Sequence, residues 1–287
     1  MNGEIRINCL ECPKRGKGPD RKKHLNINPA MNKAHCWRCE FGTHNAEAWC
    51  ERNGIVINAT WGLAEQIERP KIKLPPEYTQ DFTRHTMFGK QALQYLTRRH
   101  ITPALIAAYD IGHCPTGRYA QRIIIPVYEN GVLVTFQGRD WTELKGKDER
   151  HRGATGGAPS AMFNLDRAAQ SRVLLLVEGP FDALRIPKYG VGILGKGWNA
   201  EKRAKVLRAK PTVVLVCMDR DAIDQDQLIH EDLAGCIPYV QTVTLDPAAK
   251  DLGEATAEQL APVERLCQKA ALAAARVARA PQRNVAA

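Results

Sequence analysis

The sequence predicts an α/β protein in which a central, mainly parallel sheet is preceded by a mixed α+β basic segment and an N-terminal β-rich, metal-bound module. Three observations carry this. Two short apolar runs, VLLLV at 173–177 and TVVLVCM at 212–218, are bounded by turn or acidic residues, as strands buried on both faces are. Each run ends in carboxylates, Glu178 after the first and Asp219 and Asp221 after the second, at the strand end where open α/β sheets place their ligands. Four cysteines form two C-x2-C pairs near the N-terminus, Cys9/Cys12 and Cys36/Cys39.

With 287 residues the chain is long enough for two domains or one large one, and its formal charge of +10 is a positive field that suits a polyanionic partner or serves solubility alone. No apolar run approaches the roughly 18 residues of a membrane span, and MNGEIRINCLEC lacks a signal-peptide core, so a cytoplasmic protein with no membrane partner is expected.

Residues 1–58 read as the metal module. A C-x2-C turn points two thiolates at one ion, and two such turns complete a tetrahedral structural site for one Zn²⁺, leaving Cys50, Cys114, Cys217, Cys236 and Cys267 scattered. His35 and His44 flank the second pair as alternative ligands. Between the pairs lie Lys14, Arg15, Lys17, Arg21, Lys22 and Lys23, either a solvated loop or an arm for phosphates. Trp37 either stacks on a base or packs under the turn, and Arg38 is the expected contact to a template.

Residues 59–84 read as a linker stiffened by Pro75 and Pro76, and 85–171 as a basic subdomain. Helical spacing marks QALQYLTRR at 91–99, and Thr102-Pro103 is an N-cap with proline at the first helical position. A strand over 121–128, an Asn130-Gly131 turn and a strand over 132–138 make a hairpin. Arg118, Arg122 and Arg139 lie on it or at its ends, followed by Lys145 and Lys147. Arginine on a rigid strand holds phosphate bidentately, so these are candidate nucleotide or template ligands.

Residues 172–262 carry the acids. Gly190 to Lys196 spells G-x4-G-K, but Gly197 stands where the Mg²⁺-binding hydroxyl of a P-loop belongs, which leaves Lys196 only as a phosphate-binding side chain. A third strand is expected over 240–245. Glu178, Asp182, Asp219, Asp221 and Asp251 then offer hard oxygen ligands suited to Mg²⁺ or Mn²⁺. Residues 263–287 read as a C-terminal helix and tail, a surface helix or a contact for a partner.

VLLLVEGPFDAL, CMDRDA and KDLGEA resemble the toprim motifs. RIIIPVYENGVLVTFQGRD with MFNLDRA resembles the basic subdomain of bacterial-type (DnaG-type) primases, QALQYLTRRHITPALIAAYDIGHCP the helical segment opening that polymerase domain, and NINPAMNKAHCWRCEFG with the cysteine pairs the primase zinc ribbon. The resemblance covers the chain to about residue 256 and implies a toprim catalytic subdomain that makes RNA primers from ribonucleoside triphosphates on single-stranded DNA. By motif it implies Glu178 as the catalytic glutamate, Asp219 and Asp221 as the metal pair, Asp182 and Asp251 as secondary acidic positions, and Lys196 in a nucleotide-contacting loop. The compactness of the chain, with no motor or helicase-binding bundle read in it, leads to the expectation of a phage or mobile-element primase working with a separate replicative helicase. Ala222-Ile223-Asp224 and HRGATGG depart from the family pattern, which leaves open which basic residue holds the incoming nucleotide. Toprim nucleases share the acids, and a catalytically silent DNA-binding factor would share the ribbon.

Overall fold

The computed structural model describes residues 5–29, 31–57, 71–83, 86–144, 146, 149–194, 197–219, 223–249 and 251–279. The chain divides into two compact units, Met1–Arg69 and Pro70–Ala287.

In the first unit, β1 (Ile5–Ile7), the short helix α1 (Glu11–Lys14), β2 (Leu25–Asn28), β3 (Lys33–Cys36), β4 (Gly42–Thr43) and α2 (Ala46–Arg52) follow in order. The strands form one antiparallel sheet, β1-β2-β3-β4. Leu25 and Ile27 alternate with Asn26 and Asn28, so the period-two pattern turns the two apolar side chains onto Phe41, Trp49 and the cysteines. Asn45 caps α2 by accepting from the Ala48 N–H at 3.2 Å.

The second unit opens with residues 71–83, expected as part of the linker. They instead pack on the body that follows: Ile72, Leu74 and Tyr78 cover Tyr119, Ile124 and Phe136, and Thr79 bridges to His113. Helix α3 (Met87–Arg98) begins a turn earlier than the apolar spacing indicates, because Thr86 accepts from the Gly89 N–H; Thr102 caps α4 (Pro103–Ala108) as expected. Strands β5 (Gly112–Cys114), β6 (Arg122–Glu129), β7 (Val132–Asp140) and β8 (His151–Gly153) make an antiparallel sheet in that order. The β6–β7 turn has positive φ at Asn130 (51°) and Gly131 (75°), the primed turn whose twist matches a hairpin. Val127 pairs with Thr135 but Tyr128 with Leu133, so Val134 is an extra residue that bends β7.

After α5 (Leu165–Ala168) come β9 (Val173–Val177), α6 (Pro180–Arg185), β10 (Gly190–Gly192), α7 (Ala200–Arg208), β11 (Val213–Val216), α8 (Ile223–Leu233), β12 (Tyr239–Thr242) and α9 (Ala257–Arg279). The sheet is wholly parallel, in the order β10-β9-β11-β12. Along β9, Val173, Leu175 and Val177 join one core cluster while Leu174 and Leu176 join another on the opposite face. Burial on both faces explains an unbroken apolar run with no alternation.

The first of these clusters also takes in Tyr95 and Leu96 of α3, Ile123 and Ile125 of β6, and Val263 and Cys267 of α9. The expected boundary at 171/172 is therefore crossed by a continuous core, and Lys205 on α7 reinforces it with bonds of 2.7 and 2.8 Å to the Glu129 carboxylate at the hairpin end. Helix α9 likewise starts before the expected 263 and accommodates Pro262 in its second turn; its buried face lies on the parallel sheet, so the expected surface helix is half core. The glycines of β10 are packing requirements. A Cβ on Gly190 would lie 2.4 Å from the Ala183 carbonyl oxygen of α6, and one on Gly192 would lie 3.0 Å from Gly179. Gly190–Gly192 is thus a strand beside α6, in keeping with the rejected P-loop.

Candidate active site and metal centre

The strand order 2-1-3-4, counted along the parallel sheet's own sequence, puts a topological switch point between β9 and β11, where connections leave to opposite faces and open a crevice at the carboxyl ends. Glu178 follows β9 directly. Leu176 pairs with Val216, so Asp219, three residues beyond Val216, emerges beside it. Asp182 lies in the first turn of α6, where its Oδ2 accepts the Gly179 N–H at 3.0 Å and its Oδ1 accepts the Gly253 N–H at 2.8 Å. Asp251 Oδ1 accepts the Glu254 N–H at 2.7 Å.

These acids share one field. Burial, then the charges of Asp182, Glu178 and Asp251, push the Asp219 carboxyl up to about 8. Burial and Asp251 push Asp182 up to about 6 against the pull of its two backbone donors. Hard oxygen donors whose ionisation is opposed by one another suit a divalent cation, which would relieve the repulsion. Each oxygen of Asp182, one of the expected ligands, accepts one backbone N–H group, so the residue braces the turn before α6 against the loop at Gly253. Asp226, in the first turn of α8, accepts the Met218 N–H at 3.0 Å and fixes the end of β11. Asp221 and Lys196 lie outside the described residues, as do Lys145 and Lys147.

The sign of the pH dependence follows. Native Asp219 and Asp182 hold protons that the unfolded chain releases near the ordinary carboxylate value, so stability falls as pH rises from about 4 through about 8. Differential scanning fluorimetry between pH 5 and pH 8.5 is expected to show this loss, Mn²⁺ to reverse it, and Asp219→Asn to flatten it. A flat wild-type profile would contradict the shared field.

In the field of Glu254 and Asp251 stands Arg99, part of a cationic group that only the fold assembles. Arg99, just past α3, pairs with Glu254 at 3.0 Å and lies over the rings of Tyr95 (5.6 Å) and Phe181 (5.8 Å). Arg139 on β7 donates from Nε to the Tyr95 hydroxyl at 3.1 Å and contacts the ring nitrogen of His151 on β8. Burial, then Arg139, Arg150 and Arg99, lowers His151 to about 4, so its imidazole is neutral at physiological pH. Sequence reasoning missed Arg99, because a basic residue closing a helix reads as a complement to the helix dipole.

Two of the expected ligands donate to backbone carbonyls of the chain itself. Arg122 is 3% exposed, and its guanidinium donates to the carbonyls of Ala120 (3.2 Å) and Glu149 (2.8 Å), so it is a buried tie instead of a surface contact. Arg38 donates to the carbonyls of Lys17 (2.5 Å), Pro19 (2.8 Å) and Gly18 (3.3 Å) and so holds the basic loop. Arg118 remains exposed, over the Tyr119 ring.

In the first unit the four predicted thiols meet. Cys9, Cys12, Cys36 and Cys39 are buried, and their sulfurs all lie within 4.8 Å of one another; among the described residues no other group of three or more potential ligands is so close. Cys9 and Cys39 are 3.7 Å apart and Cys12 and Cys36 3.8 Å. A tetrahedron with Zn–S bonds of about 2.3 Å has edges of about 3.8 Å, so the four cysteines fit one zinc ion. Burial pushes the Cys9 thiol up and carries Cys12 up to about 11; burial also opposes the Cys36 thiolate, but the backbone N–H groups of Arg38 and Cys39 bring it down. A metal would draw the remaining protons off. His35 instead sits edge-on to Trp37, whose ring is 71% exposed and therefore does not pack under the turn. Asp20, buried, accepts the N–H groups of Cys9, Lys22 and His24 and ties the basic loop to the first cysteine turn.

No family model matches the chain, and no curated protein does. Among solved structures it is similar to the RNA polymerase domain of Mycobacterium tuberculosis primase DnaG. Against that domain in complex with double-stranded DNA GACCGGAAGTGG, the TM-score is 0.54 at 16% identity, covering 64% of this chain and 75% of that one. Against its complex with a double-stranded DNA oligomer bearing a 6-nucleotide overhang, the values are 0.51, 16%, 66% and 74%. Against the domain alone they are 0.50, 16%, 69% and 82%. At such identities the likeness shows the fold.

Proposed function

We propose that this chain, which has the fold of a DnaG-type primase RNA polymerase domain, is a DNA primase that synthesises short RNA primers on single-stranded DNA. The observation that carries this is the meeting of Glu178 and Asp219 at the switch point of the parallel sheet, with Arg99 in the field of Glu254 and Asp251. Nucleotidyl transfer joins a primer 3′ hydroxyl to the α-phosphorus of a ribonucleoside triphosphate and expels pyrophosphate. It needs positioning and charge neutralisation more than covalent help from the protein. Glu178, Asp219, Asp221 and Asp251 would hold Mg²⁺ or Mn²⁺, which supplies charge stabilisation and activates the hydroxyl when bound. Glu178 anchors the site from the strand end, and Asp182 keeps the loop bearing Asp251 against α6. Arg99 and Arg139, held on rings and on a strand, would receive the triphosphate, and the neutral His151 between them spares the site a further charge. The zinc module, with Trp37 exposed for stacking and a basic loop made rigid by Arg38 and Asp20, would engage the template. A separate replicative helicase would supply the unwound strand.

The test is to incubate the protein with labelled ribonucleotides, random single-stranded DNA and Mg²⁺ or Mn²⁺. Short RNA products support the reading, cut template would make the site a toprim nuclease, and binding without either product would leave a silent DNA-binding factor. Within the same assay, Arg139→Ala is expected to raise the nucleotide KM by about tenfold, the loss of one charge-assisted phosphate contact, with a smaller change in kcat. Arg122→Ala should chiefly lower the melting temperature, since it removes a buried tie. An unchanged KM in Arg139→Ala would remove that residue from the nucleotide site.

A further inference from the structure

Lys202 occupies the third position of α7, behind the N-cap Asn199, and is 1% exposed. The start of a helix carries partial positive charge and favours acids, so an ammonium there is opposed by the backbone. It is opposed also by burial and by Lys205, which together lower it to about 8. Side chains kept against both penalties are found where they hold something in place.

What Lys202 holds is a pair of backbone carbonyls. Its Nζ donates to the carbonyl of Leu194 at 3.2 Å and to that of Gly197 at 2.9 Å. Leu194 has φ of 54° and Gly197 of 103°, both in the left-handed region, where a leucine persists only if its surroundings impose it. The Leu194 N–H in turn donates to the carbonyl of Glu178 at 3.1 Å, extending the β9–β10 ladder that ends with Ile193 N–H on Val177 at 2.9 Å. One bonded path thus runs from a buried ammonium through Leu194 to the backbone of the glutamate at the acid edge.

We propose that Lys202 is a positioning residue for the carboxylate edge: its ammonium clamps the carbonyls of Leu194 and Gly197 and, through Leu194, sets the backbone of Glu178. The clamp is a statement about structure; its catalytic meaning rests on the primase reading. Lys202→Met keeps the length and apolar stem of the side chain and removes the donors. In hydrogen-exchange mass spectrometry of the full chain, the amides of the segment spanning 190–198 should exchange about tenfold faster in this variant. The melting temperature should move by no more than about 3 °C. Primer synthesis should lose about tenfold in kcat, while nucleotide KM changes by less than about twofold. Gly197→Ala serves as a second variant. A Cβ there meets nothing within 4 Å, so it opposes only the left-handed φ, and it should show the same pair of effects. If Lys202→Met fails to fold, Gly197→Ala decides by those two readouts.

Unchanged exchange overturns the clamp. Faster exchange with unchanged kcat overturns the positioning role and leaves Lys202 as support for the fold. If the wild type makes no primers, the primase reading fails by itself, and exchange still judges the clamp.

Discussion

Asp219→Asn is expected to lose primer synthesis by on the order of a thousandfold, about 4 kcal/mol of transition-state stabilisation, while its melting temperature at pH 8 rises. Both effects come from one cause. The carboxylate stands in a crevice with Glu178, Asp182 and Asp251, where its ionisation is opposed until a cation is present. The amide keeps the shape, removes the like-charge repulsion and withdraws the charge that phosphoryl chemistry would use. Glu178→Gln should lose a comparable amount of activity, and the double variant little more than either alone, because residues acting as one unit are not additive. Measuring primer yield and melting in parallel separates the two terms. Full primer synthesis by Asp219→Asn would sink the assigned chemistry, and a fall in melting temperature would show that the acid is stabilising after all.

The second large effect is on the zinc module. Removal of zinc by a strong chelator, or Cys36→Ser, is expected to unfold the first unit and leave the second folded. A four-thiolate site contributes about 10–16 kcal/mol to modules of this kind, more than so small a core of Leu25, Ile27, Phe41 and Trp49 supplies. Bound zinc should titrate at one ion per chain by absorption of released metal. Circular dichroism should show the cooperative loss of a minor fraction of structure. Binding to single-stranded DNA should weaken, while the exchange protection of β9 and β11 persists. A first unit that stays folded without metal would mean that the thiols are packing groups only.

Much of this arrangement was legible in the chain. The apolar runs of β9 and β11 end at Glu178 and Asp219 as their composition indicates, because a strand buried on both faces needs no alternation to be recognised. The C-x2-C pairs meet because the turn after β1 and the turn after β3, the strands on either side of β2, bring their sulfurs to one point. Asn130-Gly131 makes the primed turn that its positive φ angles require. Boundaries were read less well. The Thr86 cap extends α3 and the start of α9 precedes Pro262, since a cap or a proline marks the end of a helix by local preference only.

What the sequence by itself determined was which short stretches become strands, turns and knuckles, and therefore where the acids and thiols fall. These depend on spacing, and spacing is local. Only the tertiary structure decided that Arg122 is buried, that Arg38 closes its own loop, that Arg99 and Arg139 both reach Tyr95, and that Lys202 reaches back to the carbonyl of Leu194. The physical reason is common to all four. A charged side chain carries the same signature in the sequence whether it faces water, a carbonyl or a ring. Its role is set by partners brought to it through packing: Glu149 for Arg122, 27 residues away, and Tyr95 for Arg139, 44 residues away.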